Sequence, residues 1–181
     1  GAAGEETIRV AKGTTLTITD CQNEVGKITH AQDNIGRGIM SLGTLILYNG
    51  EITKNQIAKG SGAGVYVDGG NFYMYKGSIS DNKVTINGNG GGVYAKDSTN
   101  FVISGGSIDS NHAPSSGGGI YYESTISKSV KFNIRMGRVF LPPRGITTTI
   151  PRQPLCRESS AAAVRAPALK LSRNTSAPSM R

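Results

Sequence analysis

The chain has 181 residues, a formal net charge of +8, 25 glycines, no tryptophan and 18% charged residues. That length suits one ordinary domain, its apolar runs fall short of the about 20 residues of a membrane-spanning helix, and 2 cysteines cannot build a disulfide framework. The charge is unevenly placed: residues 1–127 hold 9 Lys and Arg against 11 Asp and Glu, residues 128–181 hold 11 against the single Glu158, and so the whole chain is not a basic nucleic-acid binder.

No charged-then-apolar leader opens the chain, and a start at Gly1 without methionine is expected of a fragment or a processed product. Thr7, Ile8, Arg9 and Val10 alternate as a strand does, and Gly13 turns into a second alternating run through Leu16 and Ile18. Gly26, Lys27, Ile28, Thr29 and His30 complete a first unit, with Cys21 expected to face the core near a position that asparagine fills later. The next unit reads Gly36, Gly38, Ile39, then Leu45, Ile46, Leu47, then Gly50, Ile52, Asn55. A third reads Gly62, Gly64, Val65, Tyr66, then Phe72, Tyr73, Met74, then Gly77, Ile79, Asn82. A fourth reads Gly90, Gly92, Val93, Tyr94, then Phe101, Val102, Ile103, then Gly106, Ile108, Asn111, and a fifth opens with Gly117, Gly119, Ile120, Tyr121.

From Gly38 to Gly64, Gly92 and Gly119 the steps are 26, 28 and 27 residues. Recurrence at such a period marks stacked supersecondary units. The apolar residues alternate with period two, no helical stripe is present, and glycine is too dense for helix. Each copy therefore holds about three short strands and forms one coil of a right-handed parallel β-helix, rising about 4.8 Å per coil. The predicted fold is all-β, a solenoid of about four to five coils. Gly50, Gly77 and Gly106 are expected to stack at a corner needing positive φ. Asn55, Asn82 and Asn111 are expected to stack at another, where asparagine tolerates the left-handed region and its amide bonds along the axis.

With these motifs in view, residues 7–127 resemble the glycine-rich parallel β-helix repeat proteins of bacterial cell surfaces, within the pectate-lyase-like solenoid superfamily. The likeness is carried by the run LTITDC at 16–21, the run GKITHA at 26–31 and the repeated G-G-V-Y and G-x-I-x-x-N elements. It implies a secreted or wall-attached protein assembled from many such coils, extracellular or at the cell surface.

The repeat fails after Gly137, Arg138 and Val139, since Pro142 and Pro143 stand where the next asparagine is due. Residues 1–141 are thus read as the β-helix module and residues 142–181 as a basic tail rich in Pro, Arg, Ser and Ala, expected to be disordered. Three readings of the tail stay open: a basic arm for anionic polymer or nucleic acid, a cap of unfamiliar sequence, and a non-native extension such as a shifted reading frame.

Chemistry is sparsely signalled. Pectin-degrading lyases and hydrolases share this architecture, but they need carboxylates from neighbouring coils on one outer face. Asp81 and Asp109 stand one and two positions before their asparagines, so alternation points them to different faces. His30 and His112 belong to distant coils. The glycine clusters at 60–64 and 88–92 lack the Lys-Ser/Thr and the helix of a phosphate loop, and the calcium nonapeptide spacing is missing. Cys21, Cys156 and the histidines make no zinc pattern. Asn174, Thr175 and Ser176 match a glycosylation triplet, which means little in a bacterial-looking tail. No catalytic residue, metal or cofactor is therefore assigned, and neither membrane insertion nor specific nucleic-acid binding is expected. The sharpest feature is aromatic: Tyr66, Tyr94 and Tyr121 each follow an inward aliphatic residue, so all three are expected outside in a column one ring per coil. Such a column either stabilises the surface or forms a platform for sugar rings, host or cell-surface glycans or a partner module. The expected role is structural or adhesive, with polysaccharide binding through this column; the alternative is a polysaccharide lyase or glycoside hydrolase, or a relic of one.

Overall fold

In the computed structural model, residues 4–20, 26–30, 35–98 and 100–125 are described in full, and residues 131–134 by their backbone. Every regular element among them is a strand. The first coil comprises β1 (Glu6–Val10), β2 (Thr15–Ile18) and β3 (Lys27–Ile28). The second comprises β4 (Arg37–Ser41), β5 (Thr44–Leu47), β6 (Glu51–Thr53) and β7 (Gln56–Lys59). The third runs through β8 (Val65–Asp68), β9 (Asn71–Met74), β10 (Ser78–Ser80) and β11 (Lys83–Asn87). Then come β12 (Val93–Lys96), β13 (Asn100–Ile103) and β14 (Ser107–Asp109), and finally β15 (Ile120–Glu123) and β16 (Lys131–Ile134).

These strands form a parallel β-solenoid of about four turns. Each strand pairs with its counterparts one coil away, giving three long sheets: β1-β4-β8-β12-β15, β2-β5-β9-β13-β16 and β3-β6-β10-β14. The register follows the repeat: Ile39 opposes Val65, Val65 opposes Val93, and Val93 opposes Ile120. A fourth, two-stranded sheet of β7 and β11 adds a strand to the second and third coils, beyond the three read from the sequence. These strands bury only Ile57 and Val84, against Ala63, so alternation is too brief there to stand out from a turn.

The core is a set of axial stacks. Leu45, Phe72 and Phe101 follow one another, as do Ile52, Ile79 and Ile108. Phe72 and Phe101 are fully buried, with ring centroids 5.2 Å apart. Similar apolar side chains follow one another at each level, and burial of these chains, at about 25 cal/mol per Å² of apolar surface, drives the fold. Tyr122 points inward where lower coils carry Ala95 and Val67, and its ring packs edge-on against Phe101.

The two corners are built differently. Gly50, Gly77 and Gly106 adopt φ of 101°, 84° and 86°, as the corner requires. At the asparagine corner the left-handed residue is the one before each asparagine: Lys54, Asp81 and Ser110, at φ of 56°, 54° and 52°. The asparagines are relieved of that role because their side chains must turn inward. Asn55 and Asn82 are fully buried. The Asn82 Oδ1 accepts from the Asn55 backbone N–H and from Asn55 Nδ2, at 3.1 and 2.9 Å. Asn111 Oδ1 accepts likewise from both groups of Asn82, at 3.0 Å each. Each Nδ2 also donates back to a carbonyl of the coil before, that of Ile28, Ile52 or Ile79.

The first rung of this ladder is His30, buried with Nδ1 3.2 Å from Asn55 Oδ1. Cys21, expected near this corner, lies outside the described residues. So do residues 135–181, which include the predicted tail from 142 onward.

Candidate functional site

The outer face of the sheet containing β8, β12 and β15 carries the tyrosines predicted from the sequence. Val65, Val93 and Ile120 point into the core, so the next residue of each strand points out, and register places Arg9, Met40, Tyr66, Tyr94 and Tyr121 in one column. All three tyrosines are brought together. Tyr66 and Tyr94 have ring centroids 5.1 Å apart and an interplanar angle of 14°; Tyr94 and Tyr121 are 5.7 Å apart at 4°.

Stacking changes what the column offers. Tyr94 is only 7% exposed, because a ring covers each of its faces. Below it, the Arg37 guanidinium lies 4.8 Å from the Tyr66 centroid and donates to the carbonyls of Gly62 and Ser61, each at 2.9 Å. A cation over an aromatic face is held by the ring quadrupole. Burial lowers the Arg37 pKa, and Glu6 nearby opposes that shift. Solvent is therefore left with ring edges and hydroxyls along most of the column, and only Tyr121 keeps a face that no ring among the described residues covers.

Beside the rings runs a column of alternating charge, Asp68, Lys96 and Glu123. The Tyr94 hydroxyl donates to Glu123 Oε2. Burial first, and then this bond to a carboxylate, raise the Tyr94 pKa, because both disfavour a second negative charge. Burial also raises Tyr66, aided by Asp68. The phenols of Tyr66 and Tyr94 are neutral donors and acceptors at physiological pH.

The other sequence candidates are kept apart. Asp109 pairs with Ser80 on the strand, while Asp81 sits at the left-handed corner position whose counterpart is Ser110. His30 is buried under the asparagine ladder and His112 bridges the backbone of Lys83 two coils further on. Among the described residues no group of three His, Cys, Asp or Glu side chains is placed to hold a metal ion.

Two features escaped the sequence reading. Arg37 fills the variable position of G-x-G, which holds Ala63, Gly91 and Gly118 in the other copies, so no pattern marks it as the end of the tyrosine stack. Tyr48 and Tyr75 also stack, 5.0 Å apart at 18°. Both directly follow the apolar triplet of their coil, but the third copy has Ser104 there, and recurrence in two copies alone hid the pair.

The chain matches no family model, no curated protein and no solved structure. What the chain's own repeats build is a parallel β-solenoid of about four turns.

Proposed function

We propose that this chain is a structural and adhesive β-solenoid module of a secreted or cell-surface bacterial protein, and that its outer face engages polysaccharide with Tyr66, Tyr94 and Tyr121 in the line of contact. One observation supports this reading above others: an outward tyrosine recurs in register at three successive coils, so a linear polymer lying along the axis meets an equivalent ring edge and hydroxyl at each of those steps. Many weak, equivalent contacts on one rigid body add up as avidity, and a solenoid supplies such an extended surface at little conformational cost. Tyrosine edges and hydroxyls give both apolar contact and hydrogen bonds.

Affinity electrophoresis of the full chain through gels containing neutral or anionic polysaccharides tests the proposal. The expected result is retardation without release of reducing ends or unsaturated products, weakened several-fold by Tyr121→Ala in at least one of these gels. Product release that is lost on Asp81→Asn would replace the adhesive reading with the lyase or hydrolase alternative. Unretarded migration in every gel would end the polysaccharide reading.

A further inference from the structure

We infer that a second outer face, that of β2, β5, β9 and β13, is a carbohydrate surface for uncharged linear polysaccharide, centred on Asn71, Tyr73 and Asn100. The inference rests on the reading that the module engages polysaccharide, and it assigns neutral chains to a face other than the tyrosine column.

The alternation of these strands is strict. Leu45 and Leu47, Phe72 and Met74, Phe101 and Ile103 are buried. The intervening residues form two outward columns, one of Thr15, Thr44, Asn71 and Asn100, the other of Thr17, Ile46, Tyr73 and Val102. None of these eight side chains on β2, β5, β9 and β13 is charged; the polar column passes on to Lys131 of β16, the register partner of Asn100. The tyrosine-column face, by contrast, carries Arg9, Asp68, Lys96 and Glu123. A neutral polymer gives up no counter-charge on the uncharged face, whereas an anionic one would leave its carboxylates unpaired there.

The polar column is organised in advance. Asn100 Nδ2 donates to Asn71 Oδ1 at 2.9 Å, and Asn71 Nδ2 donates to Thr44 Oγ1 at 3.2 Å. Each amide is thereby fixed in orientation, with a second N–H and lone pairs that take no side-chain partner among the described residues, in the manner of a small number of placed polar groups that orient a ligand. The amides sit one coil apart, beside an apolar column that includes one aromatic ring.

That ring differs from Tyr94. Its column neighbours are Ile46 and Val102 rather than other rings. Both are shorter than tyrosine, and Tyr73 stays partly exposed, with no stacked ring on it among the described residues. Burial raises the Tyr73 pKa and keeps the phenol neutral. Where the strand leaves the sheet, Tyr75 is stacked on Tyr48 and stays half-buried, extending the aromatic surface past Tyr73. A partly exposed ring beside an oriented amide ladder suits the apolar ring faces and equatorial hydroxyls of a neutral sugar chain.

Retardation of the full chain in gels containing hydroxyethylcellulose or galactomannan, with polygalacturonate as the anionic counterpart, tests this. Tyr73→Val converts the position to the aliphatic type its column already carries, and Asn100→Thr copies Thr44, so both preserve strand character; circular dichroism checks the fold. Tyr73→Val is expected to weaken binding of the neutral polymers about tenfold, the loss of one stacking contact. Asn100→Thr should weaken it about threefold, while Ile86→Ser, at an exposed position on another sheet, leaves it unchanged. Wild-type neutral binding retained by folded Tyr73→Val overturns the inference. If Tyr121→Ala then abolishes that binding, the wider reading survives with its own column as the site. A wild-type chain retarded by polygalacturonate alone overturns the inference and spares the wider reading, and one retarded by no polysaccharide removes both.

Discussion

The asparagine corner and the tyrosine column repeat with the same period and stack along the same axis, yet they are held by different physics. Inside, Asn55 and Asn82 have no access to water. Each buried amide must find its partners one coil away, and it finds them through the rung above and a carbonyl below. Breaking such a ladder strands several polar groups in a low-dielectric interior, where each costs about 1–3 kcal/mol. Outside, the rings gain dispersion and quadrupole energy from each other, but water and solvent-facing edges remain an alternative at each rung. The inner ladder compels register; the outer one follows it.

The two ladders are also linked through glycine. A Cβ on Gly64 would lie 2.6 Å from the Gly92 carbonyl oxygen and 2.9 Å from Asn82 Nδ2 of its own coil. The first half of the repeat thus lacks a side chain where the asparagine of the second half lies. This explains why G-x-G-V/I and G-x-I-x-x-N travel together.

The contrast is broken most severely at the inner ladder. Asn82→Ala removes the acceptor of Asn55 and the donor to Ile52 and Asn111, and is expected to cost roughly 3–6 kcal/mol in urea unfolding. Ile79→Ala, next to that rung and fully buried between Ile52 and Ile108, should cost about 2–5 kcal/mol through the cavity it leaves. Ile108→Ala should cost less, because Ile108 is only partly buried. Gly64→Ala is expected to destabilise by about 1–3 kcal/mol through overpacking; a neutral effect would show that the corner yields and that the two halves of the repeat are independent.

The outer column should respond more mildly. Tyr94→Ala loses two stacking contacts and is expected to cost about 1–3 kcal/mol, with β structure retained in circular dichroism. A cost matching that of Asn82→Ala would erase the distinction between the ladders.

Titration gives the smallest effect. The phenols of Tyr66, Tyr73, Tyr75, Tyr94 and Tyr122 all ionise with more difficulty in the fold, chiefly through burial. The unfolded chain releases these protons near pH ~10. Their contribution is therefore complete below about pH 10 and is lost as pH rises toward the folded-state values, because the unfolded state binds fewer protons there. The urea midpoint should fall above that pH, and Tyr94→Phe should make the fall shallower.

Much of this architecture was written in the spacing of residues. The 26, 28 and 27 residue steps set the coils, alternation set which side of each sheet a residue faces, and the glycines at 50, 77 and 106 marked a corner that requires positive φ. These properties are local: period, sidedness and backbone freedom depend on a residue and its immediate neighbours. The candidate site was legible to the same depth, since alternation put Tyr66, Tyr94 and Tyr121 outside in one column.

The rest depends on contacts one coil away, between residues some 27 positions apart, and spacing alone does not fix them. Only the tertiary structure decides that Tyr66, Tyr94 and Tyr121 cover each other's faces while Tyr73 has the aliphatic Ile46 and Val102 as its column neighbours. It alone seats Arg37 on Tyr66, turns Tyr122 inward over Phe101, and makes His30 the first rung beneath Asn55. Alternation assigns a side chain to a face. What that side chain can then do is decided by the size and polarity of the neighbour the next coil places against it.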